Sequence, residues 1–199
     1  MTRRIPIVAT LVVAAAVATM IALGVWQLQR REEKRDLLQT FAARAADERV
    51  IEWPAQARDG RAALYRKAKL TCVETRNPRA VAGRSAAGQA GWAHLVTCRT
   101  GDGRPAEVAL GWSATPALPR WTGGPLTGTI ASAGRGIRLV AAPSVGGLQQ
   151  LAAPDPADIP NNHLSYAVQW FAFAATALVI YALALRRRAP GVNSGDVAA

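Results

Sequence analysis

Asn161 to Arg188 reads NNHLSYAVQWFAFAATALVIYALALRRR. From Leu164 to Leu185 this stretch carries no charged residue, and at roughly 1.5 Å of rise per residue its about 22 residues cover the about 30 Å of a bilayer's hydrocarbon core. A membrane-spanning helix is predicted. Tyr166 and Trp170 stand where an aromatic belt forms, while Arg186, Arg187 and Arg188 supply the basic flank that stays on the cytoplasmic side. His163 therefore belongs to the outer face.

Half of the 199 residues are hydrophobic and only 19% are charged, a skew that a second crossing explains. Ile5 to Leu28 (IPIVATLVVAAAVATMIALGVWQL) supplies it, again without a charge. A cleaved secretory signal is the rival reading, since Arg3 and Arg4 precede the run. However, the run outlasts the about 7 to 15 residues of a signal's apolar region and passes into Trp26 and Gln27 without a small-residue cleavage site. An uncleaved anchor is the reading adopted. The chain then divides into a first transmembrane helix over 5–28, a periplasmic domain over 29–162, a second transmembrane helix over 164–185 and a cytoplasmic tail over 186–199. Both termini are cytoplasmic, and the membrane expected is a bacterial inner (plasma) membrane.

The net charge of +11 raises nucleic acid as a partner. Its distribution argues against one. The terminal arginines are explained by membrane orientation, the remaining basic residues are mixed with acids, and no recognisable nucleic-acid module is present.

Beyond the first crossing, Leu37, Leu38, Phe41, Ala42 and Ala45 recur at helical spacing, so the helix is expected to run on to about Ala46. Pro54 and the Arg58 to Arg61 cluster end it. Leu64 to Cys72 alternates as a half-buried strand, and Gly83 to Gly91 reads as a loop. Trp92, His94, Val96 and Cys98 share a face, Gly101-Asp102-Gly103 turns the chain, and Ala106, Val108, Leu110 and Trp112 return on one face. Short strands follow around Leu126 to Ile130 and Ile137 to Ala142. Gly146-Gly147 and the series Pro154, Pro156, Pro160 read as an extended tether. The fold class is thus a membrane protein with two transmembrane helices flanking an antiparallel β-rich (α+β) extracytoplasmic domain.

Chemistry is sparse. The sequence has no Gly-x-Ser-x-Gly elbow, no phosphate-cradling loop and no zinc spacing, and Asp155 and Asp158 sit among prolines as solvated residues or caps. An enzyme is not expected. Cys72 and Cys98, the two cysteines, fall on the apolar faces of separate strands, which admits a cross-strand disulfide, two buried thiols or a copper pair. His94 reads as a core or rim histidine. His163 has two readings: a helix cap with Asn161 and Asn162, or an axial ligand to the iron of a flat macrocycle lying along Tyr166, Ala167, Trp170 and Ala174.

Two motifs then carry a resemblance. Leu23-Gly24-Val25-Trp26-Gln27-Leu28-Gln29-Arg30 with Lys34 downstream, and Asn161-Asn162-His163-Leu164-Ser165-Tyr166-Ala167-Val168-Gln169-Trp170-Phe171, are similar to the boundary motifs of the Surfeit locus protein 1 (Shy-type) family of cytochrome c oxidase assembly proteins. Gly111-Trp112 with Pro116 resembles the family's R-G-W-V-P segment, with Leu110 in the arginine position. The resemblance implies a non-enzymatic assembly factor for haem-copper oxidase, aiding haem a delivery to the catalytic subunit or its stabilisation there. It implies cytochrome c oxidase subunit I and haem A synthase as partners. It makes His163 the haem-iron ligand, with Trp170, Gln169, Tyr166, Trp26, Arg30 and Arg31 around the cofactor and the two arginines meeting its propionates. A scaffold that binds the oxidase subunit without touching haem is the alternative.

Overall fold

The computed structural model describes residues 6–54 and 57–187, with the backbone alone at 57–59. Arg3, Arg4, Ile5 and the tail from 188 lie outside the described residues. The chain forms two compact units, one made of 1–36 with 160–199 and the other of 37–159.

The first unit is built on two helices, α1 (Ile7–Ala45), of which it holds the part up to Asp36, and α3 (His163–Arg187). α1 is a single uninterrupted helix of 39 residues, because neither Pro nor any Gly after Gly24 interrupts it and the apolar repeat carries on past the charged turn. The helices run antiparallel, with Gln27 meeting His163 at one end and Thr10 meeting Tyr181 at the other. Their seam is legible in the burial of α1: Thr10, Val13, Val17, Met20, Gly24, Gln27 and Arg31 are less exposed than most of their neighbours and recur at alternating steps of three and four. That is the period of a left-handed helix pair. From α3 the seam receives His163, Ala167, Trp170, Ala174 and Ala177, with Ala167 fully buried and Ala174 only 4% exposed. Small residues let the backbones approach, as they do between helices in lipid.

At Gly24 a Cβ atom would stand 2.6 Å from the Phe171 ring, so the ring lies directly over the bare backbone. Elsewhere the pair turns apolar side chains outward: Ile7, Val8, Val168 and Ile180 are each at least 60% exposed. Both helices are long and apolar enough to cross a membrane, with only 11% and 6% of their apolar windows buried. In water such an exterior would be costly, whereas in lipid it costs nothing.

The second unit takes the last turns of α1 and then β1 (Ile51–Glu52), α2 (Ala57–Ala62), β2 (Lys67–Arg84), β3 (Ala90–Thr100), β4 (Pro105–Ser113), β5 (Gly124–Ala133) and β6 (Gly136–Ala141). β2 pairs antiparallel with β3 and, through Lys67 to Cys72, with β5. β3 pairs with β4, β4 runs parallel to β6, and β6 pairs with β5. Five strands therefore close a Greek-key barrel in the order β2-β3-β4-β6-β5, while β1 adds to β2 in parallel. The two parallel pairings make the sheet mixed, where simple strand alternation suggested antiparallel pairing throughout.

The barrel interior is filled by Leu70, Val96, Val108, Leu110, Ile130 and Leu139, each at most 6% exposed. Cys72 and Cys98 join there as a disulfide, with Cα atoms 5.2 Å apart. Against the register of β3, β4 carries one extra residue at Leu110, since His94 faces Gly111 and Leu95 faces Ala109.

Two local expectations change. Gly83 to Gly91 is not all loop: β2 continues to Arg84 and pairs Gly83 with Gly91, because ladder bonds are made by backbone and a Gly- and Ala-rich sequence hides the alternation that betrays a strand. The segment from Gly146 is not a free tether up to Leu151. Gln149 exchanges backbone hydrogen bonds with Trp112 at 2.8 and 2.9 Å, and Ala86 donates to Gln150. A Cβ on Gly111 would come within 2.6 Å of the Leu148 Cβ, so the Gly-Trp pair is what lets this segment lie against β4. Beyond it, Asp155 caps the 3-10 turn Pro156–Asp158 by accepting from Ala157 N at 2.7 Å.

Candidate functional site

The two boundary motifs come together in the helix pair. Near the end of α3's first turn Tyr166 N donates to Asn162 O at 3.3 Å, and Asn161 Nδ2 donates to the carbonyl of Arg31 on α1 at 3.5 Å. Two residues further, His163 Nδ1 donates to Gln27 Oε1 at 2.7 Å. An amide oxygen only accepts, so Nδ1 carries the proton of this hydrogen bond, and in the neutral ring the lone pair lies on Nε2. Among the described residues no protein group takes up that Nε2. His163 is half-buried at the seam.

At 100° per residue, Tyr166 and Phe173 fall on one flank of the seam on α3 and Phe171 on the other. Phe171 covers Gly24. Because the helices are antiparallel, the flank of Tyr166 and Phe173 is also that of Trp26 and Arg30 on α1. It is open: Tyr166 is 52% exposed, Trp26 49% and Phe173 48%. Trp170 borders it from the seam, edge-on to Phe173 with ring centroids 6.1 Å apart, and Gln169 is exposed.

Two details of the expected site are corrected by this placement. Ala167 and Ala174 are buried against α1, so they serve helix packing and cannot also admit a macrocycle. Arg30 lies on the open flank, whereas Arg31 falls in the seam. Arg30 pairs with Glu33, and Arg31 pairs with Glu32 at 3.4 Å. Gln27, in turn, belongs to the first boundary motif, but its residue type alone assigns it no role in the site. Its signal was positional: it lies three residues beyond Gly24 in the alternating three-and-four repeat that faces α3.

The barrel holds the other histidine. His94 is 1% exposed and its Nε2 donates to Ser113 Oγ, 2.7 Å away, which in turn donates to Thr115 O at 2.6 Å. Its Nδ1 is buried without a partner. Burial holds its pKa below the ordinary histidine value. Tyr65, packed on Phe41 at 4.9 Å, is pushed up by burial and then by the charges of Asp155 and Asp158. Among the described residues no three His, Cys, Asp or Glu side chains group to hold a metal ion.

The sequence model of the SURF1 family matches residues 14–175, from within the first helix through the second motif. The chain belongs to the SURF1 family. No curated protein matches it. The SURF1 family is one of cytochrome oxidase assembly factors rather than of catalysts, and the span of the match places both boundary motifs inside the family's extent. In this SURF1 family member the motifs meet through the His163 to Gln27 hydrogen bond, with the Phe171 ring over Gly24 beside it.

Proposed function

We propose that this chain assists assembly of a haem-copper cytochrome c oxidase by handling haem a at His163, delivering it to subunit I or holding it there while the subunit folds. The observation that carries the reading is the committed Nδ1 of His163: bonded to Gln27 at 2.7 Å, it leaves Nε2 without a protein partner among the described residues, and a ring nitrogen with a free lone pair is the ligand form iron takes. The residues present fit a haem. His163 would hold the iron, with Trp26, Tyr166 and Phe173 beside the apolar ring and Arg30 at the polar edge. Haem a, when bound, supplies the redox-active iron of the oxidase. The chain's own residues bind it, orient it and keep it in an apolar setting until transfer. A single imidazole suits a carrier, since one ligand is exchanged more readily than two. The second helix's Arg186 and Arg187 support an orientation with His163 and the barrel periplasmic and the termini cytoplasmic, in a bacterial inner membrane. Haem A synthase is the partner from which haem a would come.

The test is complementation. In a strain lacking this chain, wild type is expected to restore the haem a content of the purified oxidase and His163→Ala to restore well under half of it. Full restoration by His163→Ala, with the variant present at wild-type level, would favour a scaffold that holds the oxidase subunit without touching haem.

A further inference from the structure

We propose that Gln27 is the positioning residue for His163: its amide oxygen selects the Nδ1–H tautomer and sets the ring plane, presenting Nε2 to a porphyrin iron. The inference rests on the haem reading above and adds a residue to it. Four observations carry it. The hydrogen bond is 2.7 Å and joins two half-buried side chains on facing helices. The acceptor is a carbonyl oxygen, which fixes the direction of donation. One turn away Phe171 lies over the bare backbone of Gly24, and the Asn161 to Arg31 hydrogen bond ties the start of α3 to α1. Together these hold the two helices close enough for Gln27 to reach the ring.

The choice of an amide matters chemically. A carboxylate on Nδ1–H would draw the proton and strengthen Nε2 as a ligand, as acidic partners do for metal-bound histidines. An amide orients the ring with less gain in basicity. That is the balance needed by a protein that must release its cargo.

Two variants separate the acceptor from the packing. Gln27→Met keeps the side chain's size and removes the oxygen, whereas Gln27→Glu keeps an oxygen. With the full chain in mild detergent, free of haem, at alkaline pH and with histidine labelled by nitrogen-15, the wild type and Gln27→Glu are expected to show a pyrrole-type Nδ1 and a pyridine-type Nε2 at His163. Gln27→Met is expected to move toward the opposite tautomer, the one free histidine prefers. Loaded with haemin and challenged with excess apomyoglobin, Gln27→Met should lose haemin about tenfold faster than wild type, and Gln27→Glu more slowly than wild type. A wild-type ring protonated on Nε2, or tautomers unchanged in Gln27→Met, overturns the proposal, as do equal loss rates in all three proteins. If the wild type takes up no haemin, the haem reading and the ligand half of this proposal fall together, while the nitrogen shifts still decide the Gln27 bond.

Discussion

The barrel around His94 and the helix pair around His163 use the same side chain to opposite ends. Each histidine commits one ring nitrogen to a neighbour, Ser113 for His94 and Gln27 for His163. What differs is the surrounding of the second nitrogen. His94 is buried in a closed barrel beside a disulfide's strands, and its spare Nδ1 has no hydrogen-bond partner among the described residues. His163 stands at the end of a seam whose one flank is open, so its spare Nε2 is available. An enclosed histidine becomes a strut that ties the loop after β4 to the barrel, whereas an edge histidine with one ring nitrogen committed keeps the other open, which is what the proposed ligand role needs.

The largest effect on that contrast is expected from the disulfide. Replacing Cys72 and Cys98 by Ala opens a link of sequence separation 26 and should lower barrel stability by about 3 kcal/mol, read by denaturant unfolding of the full chain. The haem binding proposed for the helix pair should not change. Next is Gly24→Leu, which places a side chain where a Cβ already comes within 2.6 Å of Phe171. It should destabilise the helix pair by about 2 kcal/mol through overpacking, seen as a lower SDS fraction at helix-pair unfolding, and leave the barrel's midpoint where it was.

His94 supplies a pH test confined to the barrel. Burial lowers its folded pKa, so as pH falls through the unfolded value of about 6.5 the unfolded chain binds the proton first and stability drops. The loss has a ceiling of about 1.4 kcal/mol per pH unit and ends once pH passes below the folded pKa. His94→Gln should flatten the profile. A wild-type stability that rises on acidification across that window would contradict the reading of His94 as a neutral strut. The smallest effect is at the far end of the seam, where Tyr181 donates to Thr10 Oγ1, itself donating to Pro6 O. Tyr181→Phe should cost the helix pair about 0.6 kcal/mol. At about 1.5 Å per residue this hydrogen bond and the Gln27 bond lie roughly 26 Å apart, near the two faces of the hydrocarbon.

The helices, the hairpin of β3 and β4 and the membership of the chain in its family could all be read from the amino acids, because apolar length, two-residue alternation and two dense motifs are local signals. Barrel closure could not. The β2–β5 and β4–β6 pairings join strands distant in sequence, and alternation states which face a residue occupies without stating its neighbour. At the site, His163 was legible as a residue type in a telling place. Gln27 was not, because an amide three residues past a glycine gains its role only when another helix brings a ring nitrogen to it. The alanines misled for the same reason: a small-residue face is equally suited to a flat ligand and to a second helix, and here α1 occupies it.

The central claim is that His163 Nε2 is an iron ligand held by Gln27. Its most direct test is the visible spectrum of the chain purified in mild detergent from cells that make haem a, compared between wild type and His163→Ala at equal protein concentration. A haem a band in the wild type that is lost or shifted in His163→Ala is the predicted result. An identical band in both proteins, or none in either, would contradict it.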